Sequence, residues 1–150
     1  MRVLLQRVSF AEVTAAPDHR ARIEGGLLAL VGIGQGDSEA TVAKLAKKTA
    51  ELRIFPDEAG KMNRDLRESG GSLLAVSQFT LYADLTKGRR PSFGPAEAPE
   101  RAKLLFDRFC SELRLHGLMV ETGVFGAHMQ VTLCNDGPVT MLLEEIPTLP

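Results

Sequence analysis

The run Leu27-Leu28-Ala29-Leu30-Val31-Gly32-Ile33 carries no charge and no polar side chain. Gly25-Gly26 precedes it and Gly34-Gln35-Gly36 follows it, so turn-forming residues punctuate both ends. A short apolar run between such signals reads as a strand buried on both faces. It falls well short of the ~20 apolar residues of a membrane span. Such a strand must lie near the centre of a sheet, and the rest of the chain must cover both of its faces.

The remaining pattern supplies that cover. Residues 2–16 alternate as one long strand or two, up to Ala16-Pro17-Asp18, and a further strand is predicted from Arg20 to Glu24. Asp37 or Ser38 caps a helix running to about Arg53, with Val42, Leu45, Ala46, Thr49 and Leu52 inward and Lys44, Lys47, Lys48 and Glu51 outward. Ile54-Phe55 starts a short edge segment before a turn at Pro56-Asp57-Glu58-Ala59-Gly60. Ser72 to Tyr82 reads as one strand, followed by a Gly/Pro-rich basic loop from Ala83 to Ala98. Pro99 opens a second helix, with Ala102, Leu105, Phe106, Phe109 and Leu113 inward and Gly117 as its stop. Strands over Leu118–Thr122, Ala127–Cys134 and Val139–Glu145 follow, and Pro147 and Pro150 mark a tail. The expectation is an α+β fold with mixed or antiparallel sheets and two helices. It forms a single compact domain over 1–145 with a tail over 146–150.

Composition narrows the function. At 150 residues and 44% hydrophobic the chain can bury a real core, and a net charge of −1 excludes a broad basic coat but not a local basic patch. The two cysteines form no Cys-x-x-Cys; Cys110 and Cys134 read as small buried hydrophobes of a reducing compartment. The apolar run after Met1 is too short for a signal peptide, so a cytoplasmic location is expected. His19, His116 and His128 are scattered, and no metal or other cofactor is expected. Gly32-Ile33-Gly34-Gln35-Gly36 resembles the start of a dinucleotide loop, but Asp37 stands where the third glycine belongs and would repel a pyrophosphate.

Two segments carry the functional signal. Ser77-Gln78-Phe79-Thr80-Leu81 closes one apolar run, and Asn135-Asp136-Gly137-Pro138-Val139-Thr140 opens another. Asn-Asp-Gly before a strand also reads as an ordinary hairpin turn. The Gly137-Pro138 bond is of the one type for which cis costs only about 0.5–1 kcal/mol. A cis bond between two strands is expected to turn the chain sharply and leave carbonyls free to face a ligand. Ser77 and Thr80 are possible nucleophiles, yet no Gly-x-Ser-x-Gly elbow and no nearby His–Asp pair activates them. The chain is poor in acid–base machinery. If the chain is an enzyme, either the substrate supplies the chemistry or backbone amides do most of the work by stabilising an oxyanion. Lys87, Arg89 and Arg90 beside Phe93 suit either a solvated loop or contact with phosphates or an unstacked nucleotide.

With these segments in hand, the chain resembles the D-aminoacyl-tRNA deacylases, the D-tyrosyl-tRNA deacylase family. Leu5-Gln6-Arg7-Val8, Arg53-Ile54-Phe55, Gly60-Lys61-Met62-Asn63, Arg90-Pro91-Ser92-Phe93 and Met129-Gln130-Val131 occur in family order, over about residues 1–145. Ala16-Pro17-Asp18-His19-Arg20 departs from the family's plainer hairpin. The resemblance implies a homodimer in which a Gly-cisPro motif, here Gly137 and Pro138, projects from one subunit into the pocket of the other. Ser77, Gln78, Phe79 and Thr80 would form the pocket floor, with the Phe79 amide near the scissile ester carbonyl. Arg7 would lock the Gly-Pro loop, and Met129 would wall the site of the terminal adenine. The partner implied is aminoacyl-tRNA, engaged through its 3′-terminal adenosine and acyl group; no membrane is involved. The reaction implied is hydrolysis of the D-aminoacyl ester, with the 2′-hydroxyl assisting water attack; reading Gly137-Pro138 as a wall against L side chains adds the expectation that glycyl-tRNA mischarged on a non-glycine tRNA is also cut. Two other classes remain: a serine-type esterase using Ser77 or Thr80, and a non-catalytic nucleic-acid-binding module using Lys87 to Phe93.

Overall fold

The apolar run is the middle of the main sheet. In a computed structural model that describes residues 1–147, it forms β3 (Gly26–Gly32), held between β1 (Arg2–Ala15) and β6 (Ser72–Ser77). β1 pairs antiparallel with β3, with β2 (His19–Ile23) and, along its other edge, with β8 (Met129–Glu144). β3, β6 and β7 (Val120–Thr122) run parallel to one another, so the sheet is mixed. A separate ribbon joins β4 (Phe55–Pro56) and β5 (Met62–Arg64).

Three helices cover one face. α1 (Glu39–Glu51) and α3 (Pro99–Leu115) are the two expected, and α2 (Leu66–Ser69) is a single turn in what reads as a polar connection. α2 forms because Asp65 and Glu68 make a reciprocal capping box, and Gly70, at φ 72°, ends it. Val42, Leu45, Leu66, Phe106, Phe109 and Leu113 pack on Val3, Leu5, Leu27, Ala29, Val31 and Leu73. Ser38, not Asp37, caps α1. Asp37 is instead fully buried, its carboxylate accepting from the Met1 amine at 2.5 Å and from Gly34 N at 2.7 Å. Cys110 joins this core, and burial pushes its thiol up to about 11.

The opposite face has a smaller core of Val8, Ala11, Val13, Ala21, Ile23, Leu28, Leu74 and Val76. Odd-numbered Val3 and Leu5 of β1 face the helices, whereas odd-numbered Ala11 and Val13 face this second core. A register shift between Val8 and Phe10 causes the switch, since one surplus residue in a strand exchanges its faces.

Three predicted elements are corrected. The strand from Ser72 stops at Ser77: β3 ends at Gly32, Gln78 N donates the last bond to Val31 O, and Phe79–Tyr82 form a 3-10 turn. Gly32 and Gly34 let that turn pack closely, for a Cβ at Gly34 would lie 2.5 Å from the Tyr82 ring. Ala127–Cys134 and Val139–Glu145 are not separate strands with a sharp turn between them. Both belong to β8, which stays antiparallel to β1 on either side of Gly137-Pro138. Cys134 lies on the outer side of β8 and is exposed, not buried. Pro147 is described, while residues 148–150 of the expected tail, including Pro150, lie outside the described residues. No helix among the described residues is long and apolar enough to cross a membrane.

Gly26 shows how tightly the centre is built. It pairs with Ser72 at φ +156°, and a Cβ there would lie 1.8 Å from Ser72 O. Gly26→Ala is expected to cost at least ~2 kcal/mol in chemical denaturation, because backbone must move. Gly60→Ala, at φ +76° with nothing within 4 Å, should cost less. Equal losses would contradict this reading of the β3–β6 contact.

Candidate active site

A cleft of about 230 Å³ lies where the end of β6 meets the start of β8. Val76, Ser77, Gln78 and Phe79 form one side; Ala127, His128, Met129 and Val131 form the other. The switch in β1 brings these walls together, because it carries the first half of β8 over the second face of the sheet. Gly123 seats Met129: a Cβ there would fall 2.6 Å from the Met129 sulfur. Phe79 is 58% exposed, and Phe93 of the basic loop packs edge-on against it at 4.9 Å.

The cleft holds little ionisable chemistry. Among its walls His128 is the one titratable side chain, and no carboxylate is present. Ser77 and His128 share the cleft, but no hydrogen bond joins them among the described residues, and the third member of a hydrolytic triad has no candidate. Thr80 does not line the cleft; it is exposed, and its hydroxyl accepts from Gln78 Nε2. Gln78 leaves the 3-10 turn without a side-chain cap, so the turn's leading amides are not satisfied by it. Tyr82, on the far side of the turn, has its phenol pushed upward by burial and then by Asp37, which keeps it protonated. No group of three His, Cys, Asp or Glu is placed to hold a metal among the described residues.

Arg7, Gly137 and Pro138 form a second constellation. Between the pairs Gln6↔Thr140 and Val8↔Asn135, β1 advances two residues while β8 advances five. The surplus residues bulge outward, with Asp136, Gly137 and Pro138 exposed and the Gly137-Pro138 bond cis. Arg7 grips this bulge. Its Nε donates to Asp136 O at 3.2 Å, its Nη1 to Ile54 O at 2.6 Å, and the Asp136 carboxylate lies 3.5 Å from Nε. The Asp136 carbonyl, expected to be free, is therefore engaged. Asn135 closes the bulge from within, donating from Nδ2 to Arg7 O at 2.9 Å and to Val139 O at 3.0 Å. Gly137, at φ +137°, has no room for a Cβ, which would meet Val139 Cγ2 at 2.7 Å.

The two constellations do not meet within one chain. Met129 and Asn135, the last laddered residue before the bulge, are six residues apart on the same strand, roughly 20 Å at about 3.3 Å per residue. The sequence motifs mark Ser77, Gln78, Phe79 and Met129 of the cleft and Arg7, Gly137 and Pro138 of the bulge, but not His128 as a cleft wall, Asn135 as the clamp or Phe93 as the neighbour of Phe79.

Comparison with known proteins decides the family. The D-Tyr-tRNA(Tyr) deacylase family matches residues 4–144. The chain belongs to that family. It is 60% identical over 144 residues to the D-aminoacyl-tRNA deacylase of Thermomicrobium roseum, covering 96% of this chain and 94% of the relative. Against the D-aminoacyl-tRNA deacylase of a Roseiflexus species it is 58% identical, with 96% and 93% covered. Among solved structures, one titled c-Myc DNA Unwinding Element Binding Protein superimposes with a TM-score of 0.89 at 36% identity, covering 97% of this chain and 99% of that one. The matched span thus contains both the cleft and the Arg7-held bulge.

The clamp makes a sharp prediction. Asn135→Asp keeps the shape but has no donor for the two carbonyls, so it should lose as much as Asn135→Ala, about 1–3 kcal/mol. Amide exchange of Asp136, Gly137 and Val139 should quicken in both variants. A stable Asn135→Asp with unchanged exchange would show that the side chain does not hold the bulge.

Proposed function

We propose that this chain hydrolyses the ester of D-aminoacyl-tRNA, releasing the D-amino acid and tRNA, and that two copies build each active site. The observation that carries this reading is the separation of the Phe79–Met129 cleft from the Arg7-held Gly137-Pro138 bulge on the two ends of one strand segment. A second copy can present its bulge to the cleft. The outer edge of β8 has no strand partner among the described residues, which is the kind of exposed edge that proteins cover. The relatives carry the deacylase name at high identity and nearly full coverage.

The chemistry suits the cleft. In this reading the Phe79 amide stabilises an oxyanion on the ester carbonyl and Met129 walls the terminal adenine; both residues line the cleft. The absence of a carboxylate beside Ser77 and His128 favours water activated by the substrate's own 2′-hydroxyl over a serine nucleophile. Ser77 and Gln78 shape the floor, Thr80 accepts a hydrogen bond from Gln78 outside the cleft, and none of the three attacks. No metal or other cofactor enters this account, and the location it requires is the cytoplasm, where charged tRNA is handled.

Selectivity follows from what Gly137-Pro138 can do. One apolar contact discriminates only about 10–200-fold, too little to spare abundant correct L-aminoacyl-tRNA. Rigid backbone held by Arg7 and Asn135 excludes an L side chain because the clash cannot relax. Such a filter rejects L side chains without gripping D ones. It passes glycine.

The expected order of cleavage is D-alanyl-tRNA and glycyl-tRNA readily, with L-alanyl-tRNA intact at the same enzyme level. A D-aminoacyl-tRNA ending in 2′-deoxyadenosine should lose far more rate than Thr80→Ala or Ser77→Ala enzyme on normal substrate. Single-turnover hydrolysis of the four substrates checks this. Glycyl-tRNA as resistant as L-alanyl-tRNA would indicate positive recognition of D side chains. A loss of about 10⁴-fold in either alanine variant would restore the serine esterase, and no hydrolysis at all would leave the nucleic-acid-binding module.

A further inference from the structure

The basic loop has an anchored base and a free tip. Asp84 and Ser92 exchange backbone hydrogen bonds at 2.7 and 3.1 Å, which closes a neck around Leu85 to Pro91. Beyond the neck the chain is tied to the end of β3: Gln35 N donates to Pro95 O, Gln35 Nε2 to Gly94 O, and Glu97 N to Ile33 O. Phe93, between these ties and the neck, packs edge-on against Phe79 of the cleft at 4.9 Å. The tip therefore stands on a fixed stem at the mouth of the cleft.

Its charge is uncompensated. Leu85 to Pro91 contains Lys87, Arg89 and Arg90 and no acid. The nearby carboxylates are occupied: Asp84 accepts from Thr86 N and Oγ1 at the neck, and Glu97 pairs with Arg101. Arg2, Arg7, Arg20, Arg22, Arg64, Arg67, Arg101 and Arg108 pair with carboxylates, and Arg53 and Arg114 donate to carbonyls. Arg89 and Arg90 are the two arginines without any partner among the described residues. In a chain of net charge −1, three free cations on one short projection beside the candidate cleft form a local anion-binding surface. Guanidinium forks match phosphate oxygens bidentately.

We infer that the Leu85–Pro91 projection docks the sugar-phosphate backbone of the tRNA acceptor end, with Lys87, Arg89 and Arg90 on phosphates leading to the ester in the cleft. This rests on the deacylase reading and adds to it. The cleft reads the acyl group and terminal adenosine, while the loop reads the polyanion behind them. Phosphate contacts position a nucleic acid without reading its sequence, so this element serves many tRNAs equally. It also gives the enzyme a reason to prefer tRNA over a free aminoacyl ester.

The test compares wild type with the triple variant Lys87→Ala/Arg89→Ala/Arg90→Ala on two substrates, D-aminoacyl-tRNA and 3′-(D-aminoacyl)-adenosine. The variant should lose about 10- to 100-fold in kcat/KM on the tRNA and less than threefold on the adenosine ester. The slope of log kcat/KM against log salt for the tRNA should flatten by about two. A parallel titration with uncharged tRNA should show the same loss in affinity and the same flattening. That binding arm judges the loop even if the wild type hydrolyses neither substrate, an outcome that would overturn the deacylase reading alone. Equal losses on both substrates would assign the loop to the shape of the cleft. Unchanged tRNA affinity and salt slope would mean a solvated loop. Either result overturns the proposal.

Discussion

The structure depends on one strand pair, β1 with β8, and on the register shifts built into it. A regular pair of this length would present one apolar face throughout and serve one core. Here β1 carries a surplus residue between Val8 and Phe10, and β8 carries several between Asn135 and Thr140. Each shift exchanges the faces of its strand. Val139 and Leu143 of β8 accordingly pack under the helices, while Val131 and Leu133 pack on the second core. One pair of strands thereby serves both cores, and its far half closes a cleft against the end of β6.

The same irregularity exposes the Gly137-Pro138 backbone. Residues looped out of a ladder lose their strand partners, and a buried or semi-rigid bulge needs replacements. Asn135 and Arg7 provide them from within and from the facing strand, with Ile54 O fixing the other side of the guanidinium. A rigid backbone surface results. Such a surface is what the proposed exclusion of L side chains by shape requires.

Much of this was legible in the sequence, and the misses have physical causes. Leu27 to Ile33 announced the central strand because burial on both faces removes all polarity. The two long helices followed from periodicity and from Pro99 and Gly117. The third helix was hidden because four residues cannot show a period, though Asp65 and Glu68 spell its capping box. Ser72 to Tyr82 read as one strand because Leu81 and Tyr82 continue the apolar run; only the end of β3 at Gly32, a tertiary fact, tells the chain to turn. The candidate-site residues are visible as motifs, yet their division into two constellations is not. That division depends on which strands lie side by side, which one-dimensional spacing does not contain. Asn135 was read as part of a turn, since Asn-Asp-Gly has the same composition in a hairpin and in a clamped bulge.

The central claim is that the partner subunit's Gly137-Pro138 bulge completes the Phe79 cleft, and mixed dimers test it most directly. One variant would disrupt the bulge through Pro138→Ala with Gly137→Ala; the other would block the cleft through Phe79→Asp. Each alone should be inactive on D-aminoacyl-tRNA. After subunit exchange, verified by differential labelling, the mixture should regain up to about a quarter of wild-type activity, because half the dimers are hybrids and each hybrid has one intact site of two. No recovery despite confirmed exchange would place a complete site within each chain and contradict the account.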